Sequence, residues 1–298
     1  MTYVVGYGPH KHDRSAIELA CQLARSLPEP VVAVSVVPRG WGTPGAGGTD
    51  REYEQWAAGE GDDSAALALA DLAQHSAVDG SAVWVAGRSV PQTLIEQAAE
   101  RDATILVVGS GGDAEPGRIR LTSKTDRLVH SSTVPVAIAP RGYRTSSAVT
   151  RITVGFRDDD ASWSLLTRAA EISKRASARL RVVTFLVNPS RRPVTNTVSH
   201  AETQVVNLWA AQAAAAQGEA ADHLTSMGFT GANLQLITAE GADWGAAVDS
   251  VDWADGDVLV VGSSSTHRLA QVFLGSSASK ILRHSPVPVV VVPGAAVG

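Results

Sequence analysis

Two stretches of this 298-residue chain place small residues where a backbone could hold a phosphate. In one, Gly262 ends the apolar run Val258 to Val261; Ser265, Gly275, Ser276 and Ser277 follow, at the entry to a segment of helical spacing, Ser276 to His284. In the other, Gly109 ends a matching run, and Gly112, Thr122 and Ser123 follow. Glycine at a strand end lets a ligand come close to the backbone. The helix start beyond it carries free N–H groups and the positive end of the helix dipole, which favour a phosphate. Serine hydroxyls at the same place add donors. The same residues also describe an ordinary serine-capped helix.

Other chemistries find less support. No G-x-x-x-x-G-K-[ST] loop occurs, which excludes a P-loop NTPase. His10 and His12 lie two residues apart without a third ligand, so no metal site is expected. His267 and Arg268 sit in the second small-residue loop, where a cation reaches a phosphate or simply stays solvated. No Ser-His-acid set is placed by spacing, and no enzyme activity is expected. The single Cys21 rules out an intrachain disulfide framework and a cysteine zinc site. It shares a helical face with Ile17, Ala20 and Ala24, which predicts a small core residue.

The elements that must position these loops come in two sets. Ala103 to Pro140 runs in register with the stretch ending at Pro293: Gly109 falls on Gly262, Leu121 on Leu274, Pro135 on Pro288 and Pro140 on Pro293. A repeat of about half the chain indicates two copies of one domain. Each copy reads as five short apolar runs alternating with helical segments, including a long helix (51–76 and 202–227) and a third helix (90–101 and 244–253). That alternation predicts an α/β fold, with a five-stranded parallel sheet covered by helices on both faces. The polar linker near 141–150 sets the expected domains at 1–143 and 150–298.

Composition narrows the function classes. With 44% hydrophobic and 18% charged residues the chain is an ordinary globular protein. Its net charge of −5 offers no basic surface for nucleic acid. No apolar run reaches bilayer-spanning length, and the first residues lack the pattern of a signal peptide, so no membrane partner and a cytoplasmic location are expected.

A strand ending in glycine, the spacing Gly-x2-Gly-x9-Gly-Ser, then a helix and a strand opening Val-Pro-Val resembles the universal stress protein family in both halves. Ser265 stands for the second glycine in one copy, Thr122 for the third in the other. The resemblance implies two doubly wound domains of strand order 3-2-1-4-5, with ATP or AMP bound between strands 1 and 4. The implied binding residues are Gly262, Ser265, Gly275, Ser276 and Ser277, with Gly109, Gly112 and Ser123 in the first half. Arg118, Arg120 and Lys124 add positive charge there. It further implies a non-enzymatic stress-response sensor that forms a homodimer. The alternative is a nucleotide-free degenerate tandem domain acting as an interaction protein. After strand 1 the family carries an adenine-facing Asp; here Gly8 and Arg157 take its place, with Asp158 one residue on. Binding is expected mainly in the second half, because β-branched Thr122 would resist a positive φ at a cost of roughly 1–3 kcal/mol.

Overall fold

The computed structural model of the chain describes residues 1–8, 13–39, 49–188, 200–263 and 275–294. The chain divides into two compact units, Met1–Ala148 and Val149–Gly298. In the first, β1 (Thr2–Tyr7), β2 (Val31–Pro38), β3 (Gly80–Gly87), β4 (Ala103–Gly109) and β5 (Val136–Ala139) alternate with α1 (Ser15–Ser26), α2 (Thr49–Leu72), α3 (Val90–Glu100) and α4 (Ser123–Ser131). In the second, β6 (Arg151–Gly155), β7 (Arg179–Val187), β8 (Leu234–Gly241), β9 (Asp257–Gly262) and β10 (Val289–Val292) alternate with α5 (Asp160–Arg175), α6 (His200–Ser226), α7 (Trp244–Asp249) and α8 (Ser276–His284).

All pairings within each unit are parallel. Tyr3 lies between Val31 and Ile105, Leu106 pairs with Val136, and Val31 with Gly80, giving β3-β2-β1-β4-β5. The second unit repeats this as β8-β7-β6-β9-β10. The order 3-2-1-4-5 implied by the resemblance is therefore present in each.

The strands read as continuous apolar runs because both their faces are covered. Val4, Val5, Val34, Leu106 and Val107 are fully buried, as are Val182, Val183 and Leu259; each such side chain contributes about 1.5–3 kcal/mol on burial. Helix α1 buries Ile17, Ala20, Cys21 and Ala24 on one face, as their spacing requires. Burial pushes the Cys21 thiol up to about 12, so it behaves as a small apolar group.

Two helices stop four residues earlier than their spacing predicts, and α2 is one of them, ending at Leu72 instead of Ser76. The third helix of the second unit ends at Asp249 instead of running to Trp253. Ser250 Oγ donates to the Ala247 carbonyl, and Trp253 Nε1 to the Val248 carbonyl, at 2.8 Å each. These side chains satisfy the orphan carbonyls of the last turn. The helix can thus stop, and the chain turns into β9.

The second unit also buries charge. At the amino ends of its strands, Arg151 donates to Asp257 through Nε (2.8 Å) and Nη2 (2.5 Å), and Nη2 also reaches the Asp252 carbonyl at 2.9 Å. Arg181, 1% exposed, donates to Gln235 Oε1 (3.0 Å) and to the same carbonyl (2.8 Å). In the first unit the corresponding residues are Thr2, Val32 and Thr104, so the fold does not need the cluster. Asp257→Ala should cost about 3–5 kcal/mol, because it leaves two buried guanidiniums without their carboxylate. The triple replacement by the first unit's residues (R151T, R181V, D257T) should cost far less, as buried ion pairs are often no better than apolar packing. Urea unfolding of the two variants checks this; equal losses would contradict it.

Candidate functional site

In the second unit the order of the sheet reverses between β6 and β9. Connections leave these neighbours in opposite directions, which opens a crevice at their carboxyl ends. The crevice is a cleft of about 620 Å³. Gly155, Phe156 and Arg157 line it where β6 ends, and Gly262 and Ser263 where β9 ends. Gly275, Ser276, Ser277 and Ala278 form its wall at the start of α8, while Phe185 and Trp244 add aromatic surface.

Three helices begin at this cleft; α7 opens with Trp244 and is capped by Asp243, while α5 and α8 differ. At α5 the N-cap is Asp159, whose carboxylate accepts from the Ser162 N–H at 2.8 Å and from Arg157 Nη2 at 2.9 Å. Burial pushes the Asp159 carboxyl up, but the bonds from Ser162 and Arg157 outweigh it, and the pKa falls below its ordinary 3.8. That helix start is already satisfied by an anion of the protein itself. At α8 the N-cap is Gly275, which has no side chain to offer. Among the described residues no side chain caps its first-turn N–H groups, which stand beside Ser276 and Ser277, a ready place for a phosphate.

The surroundings are stiff. The Phe156 ring meets Trp163 edge-on at 5.1 Å, and Trp163 meets His223 at 5.9 Å. Asp158 accepts from Trp163 Nε1 at 3.0 Å and does not line the cleft. It therefore does not replace the missing acid; the carboxylates that line the cleft are those of Asp159 and Asp160. Lys280 Nζ stands 5.7 Å from the centre of the Trp244 ring. Ser263 is engaged elsewhere, donating to the Val292 carbonyl (3.3 Å) and accepting from Gly294 N–H (2.9 Å).

The structure thus brings Gly262, Gly275, Ser276 and Ser277 into one cleft. Ser265, His267 and Arg268 lie outside the described residues, as do His10 and His12. Spacing alone could have found Asp159, since Asp three residues before Ser162 at a helix start is an N-cap pattern. Nothing in the sequence signals Trp244 or Phe185.

The first unit's loop after β4 has folded onto itself. Gly111 N–H donates to the Arg120 carbonyl (3.1 Å), Ser110 Oγ accepts from Arg120 N–H (2.8 Å), and Arg141 Nη1 donates to the Ala114 carbonyl (2.6 Å). Arg120 is ion-paired to Asp113, so its charge is not left for a ligand. Thr122 caps α4, its Oγ1 accepting from Thr125 N–H at 3.2 Å, and its methyl group occupies the space where a side chain on Gly111 would go. Gly109 ends β4, Gly112 lies in the loop, and Ser123 opens α4. A methyl group added at Gly109 or Gly112 would meet nothing within 4 Å.

One expectation needs correction. Thr122 has φ −83°, ψ 166°, and Gly275 has φ −58°, ψ 153°. Neither position is left-handed, so Thr122 carries no backbone strain. It differs from Gly275 by supplying its own cap and its own bulk.

Among the described residues no group of three or more His, Cys, Asp or Glu side chains could hold a metal ion, and no helix is long and apolar enough to cross a membrane.

The Asp159 cap has a pH signature. A folded pKa below the ordinary value gives stability that is full above that value and lost as pH falls through the folded pKa. Asp159→Ala should cost about 0.5–2 kcal/mol at pH 7, and the gap to wild type should narrow as the pH drops below about 4. Urea unfolding across pH 2.5 to 7, at about half-unit steps, reads it; a gap independent of pH would contradict it.

The sequence profile of the universal stress protein family matches residues 1–140 and 148–293. Universal stress proteins of Mycobacterium tuberculosis and Mycobacterium bovis are each 37% identical over 301 residues, covering 99% of this chain and 100% of each relative. A universal stress protein from Archaeoglobus fulgidus superposes with a TM-score of 0.63 at 14% identity, covering 98% of this chain and 97% of that one. A functionally unknown protein from Pseudomonas aeruginosa does so with 0.58 at 16%, covering 98% and 92%. At such identities these two structures speak to the fold. The profile match over both units and the full-length relatives go further: the chain belongs to the universal stress protein family.

Proposed function

We propose that the chain is a non-enzymatic stress-response regulator that binds an adenine nucleotide, ATP or AMP, in its second unit. The observation that carries this reading is the uncapped start of α8, with Gly275, Ser276 and Ser277 on the wall of a cleft at the β6–β9 switch point. Phosphate would sit on the first-turn N–H groups and the serine hydroxyls, with Gly262 allowing close approach. Phe156, Phe185 and Trp244 offer apolar surface for a base. Arg157, in the place of the family's acid, is held by Asp159, which argues for weak binding. Ser265 is assigned to the same site on the family pattern alone.

For the first unit the nucleotide-free reading is favoured. Its helix start is capped by Thr122, and its loop is closed by the Arg120–Asp113 pair. Gly109, Gly112 and Ser123 are then loop and helix-start residues without a ligand. The two domains are taken as 1–143 and 150–298, the chain as a homodimer, and its place as the cytoplasm, following the family resemblance.

Isothermal titration of the full chain with ATP and AMP tests this. One site per chain is expected; Gly275→Val should weaken it at least about tenfold, since the β-branched side chain covers the N–H groups. Gly109→Val, where the added carbon meets nothing, should leave it unchanged. Binding that survives Gly275→Val and disappears in Gly109→Val would reverse the assignment. No heat at millimolar nucleotide would leave the interaction-protein reading in possession.

A further inference from the structure

A second cleft, of about 370 Å³, opens at the amino-terminal ends of β6, β7 and β8. It lies on the order of 15 Å from the switch point, the length of the five-residue β6 at ~3.3 Å per residue. Arg151, Arg179, Asn233 and Gln235 supply its polar side chains, and none of the residues lining it is acidic. Both amides have their oxygens engaged: Gln235 Oε1 accepts from Arg181 Nε at 3.0 Å, and Asn233 Oδ1 from Thr230 N–H at 2.8 Å. Arginine only donates, so the Gln235 oxygen must face Arg181. What the two amides have left for the cleft are N–H donors.

Behind this lining lies an unbalanced charge. Arg181 is 1% exposed, and its Nη1 finds no hydrogen-bond partner among the described residues; Asp257 Oδ2 is 3.8 Å away. Around Arg181 three guanidiniums, those of Arg151, Arg179 and Arg181 itself, meet the two carboxylates of Asp252 and Asp257. Burial first, then repulsion from Arg151, lower the Arg181 pKa against the pull of Asp257 and Asp252. An anion in the cleft would offset this surplus. A cleft whose polar side chains only donate, backed by a buried positive charge, is complementary to one ligand class.

We propose that this cleft binds a small free oxyanion of the phosphate class. The exposed Arg179 guanidinium and the amide N–H groups of Asn233 and Gln235 hold it, and Arg151 and Arg181, both drawn to Asp257, supply charge from behind. Guanidinium forks match the geometry of phosphate oxygens. The site belongs to the second unit alone, because the first has Thr2 and Val32 in place of Arg151 and Arg181.

Inorganic phosphate is the probe, titrated into the full chain at low ionic strength and followed by calorimetry and by ³¹P NMR line width. Three variants are compared with wild type: Arg179→Ala, an exposed change that removes one fork; Gln235→Glu, which keeps an oxygen for Arg181 but adds negative charge; and Gly275→Val at the other end of the sheet. The two cleft variants are made in the Gly275→Val background, so that the α8 start does not contribute; phosphate binding should remain in Gly275→Val alone and weaken at least about tenfold in both cleft variants, the loss of a charge-assisted contact. The proposal is overturned if binding persists in Arg179→Ala and Gln235→Glu, if it already disappears in Gly275→Val alone, or if wild type binds no phosphate. Circular dichroism of the variants shows that each is folded.

Discussion

The parallel pairing of β6 with β9 is the constraint on which both ends of the second unit depend. Ile152 to Val154 lie beside Val258 to Val260, sealed by apolar burial on both faces. Because the chain leaves these strands toward opposite sides of the sheet, a gap opens at their carboxyl ends. The cleft beneath Gly262 and Gly275 is the result. At the amino ends the same register sets Arg151 directly against Asp257. One pairing thus makes an open helix start at one end and a buried ion pair at the other.

The two units show what a shared fold leaves undecided. Strand order, switch point and the serine after the fourth strand, Ser110 or Ser263, recur in both, and each serine N–H donates to the end of the neighbouring last strand. What differs is how the last helix start is satisfied. Thr122 closes α4 with its own oxygen, worth about 1 kcal/mol, and a ligand would have to displace that bond and the loop tied to it. Gly275 leaves α8 without a side-chain cap among the described residues. A capping hydroxyl and a bound phosphate address the same N–H groups, so one residue decides between self-satisfaction and binding.

Much of this architecture is legible in the sequence, because it rests on periodicity and on glycine and proline punctuation. The apolar runs ending at Gly109 and Gly262 locate strands that burial on both faces makes continuous. The end of α7 was not legible: Ser250 and Trp253 stop it through side-chain bonds that spacing does not encode. Nor was the conformation at Thr122. Substitution of a glycine suggests a left-handed backbone, whereas here the glycine matters for the side chain it lacks. Asp158 is the substitute acid that the sequence offers, but its side chain turns to Trp163, and it is Asp159, next along the chain, that caps α5 at the cleft. The buried cluster is the least legible feature. Arg179 and Arg181 read as charges at a strand end, and the burial of Arg181 depends on Asp257 and Gln235 arriving from distant strands.

That cluster is also the part of the second unit that stability explains least. Removing charges from water carries a penalty of several kcal/mol per ion even after relaxation, and the first unit fills the equivalent positions with Thr2, Val32 and Thr104 in the same fold. A cluster kept for packing alone would be expected to balance its charges. Here Asp257 is shared by two arginines, and among the described residues Arg181 Nη1 keeps an unmet donor in an interior where such a donor costs about 1–3 kcal/mol. The imbalance lies beside a cleft with no acid in its lining. A residual positive charge there is hard to assign to folding, but it is what recognition of an anion requires.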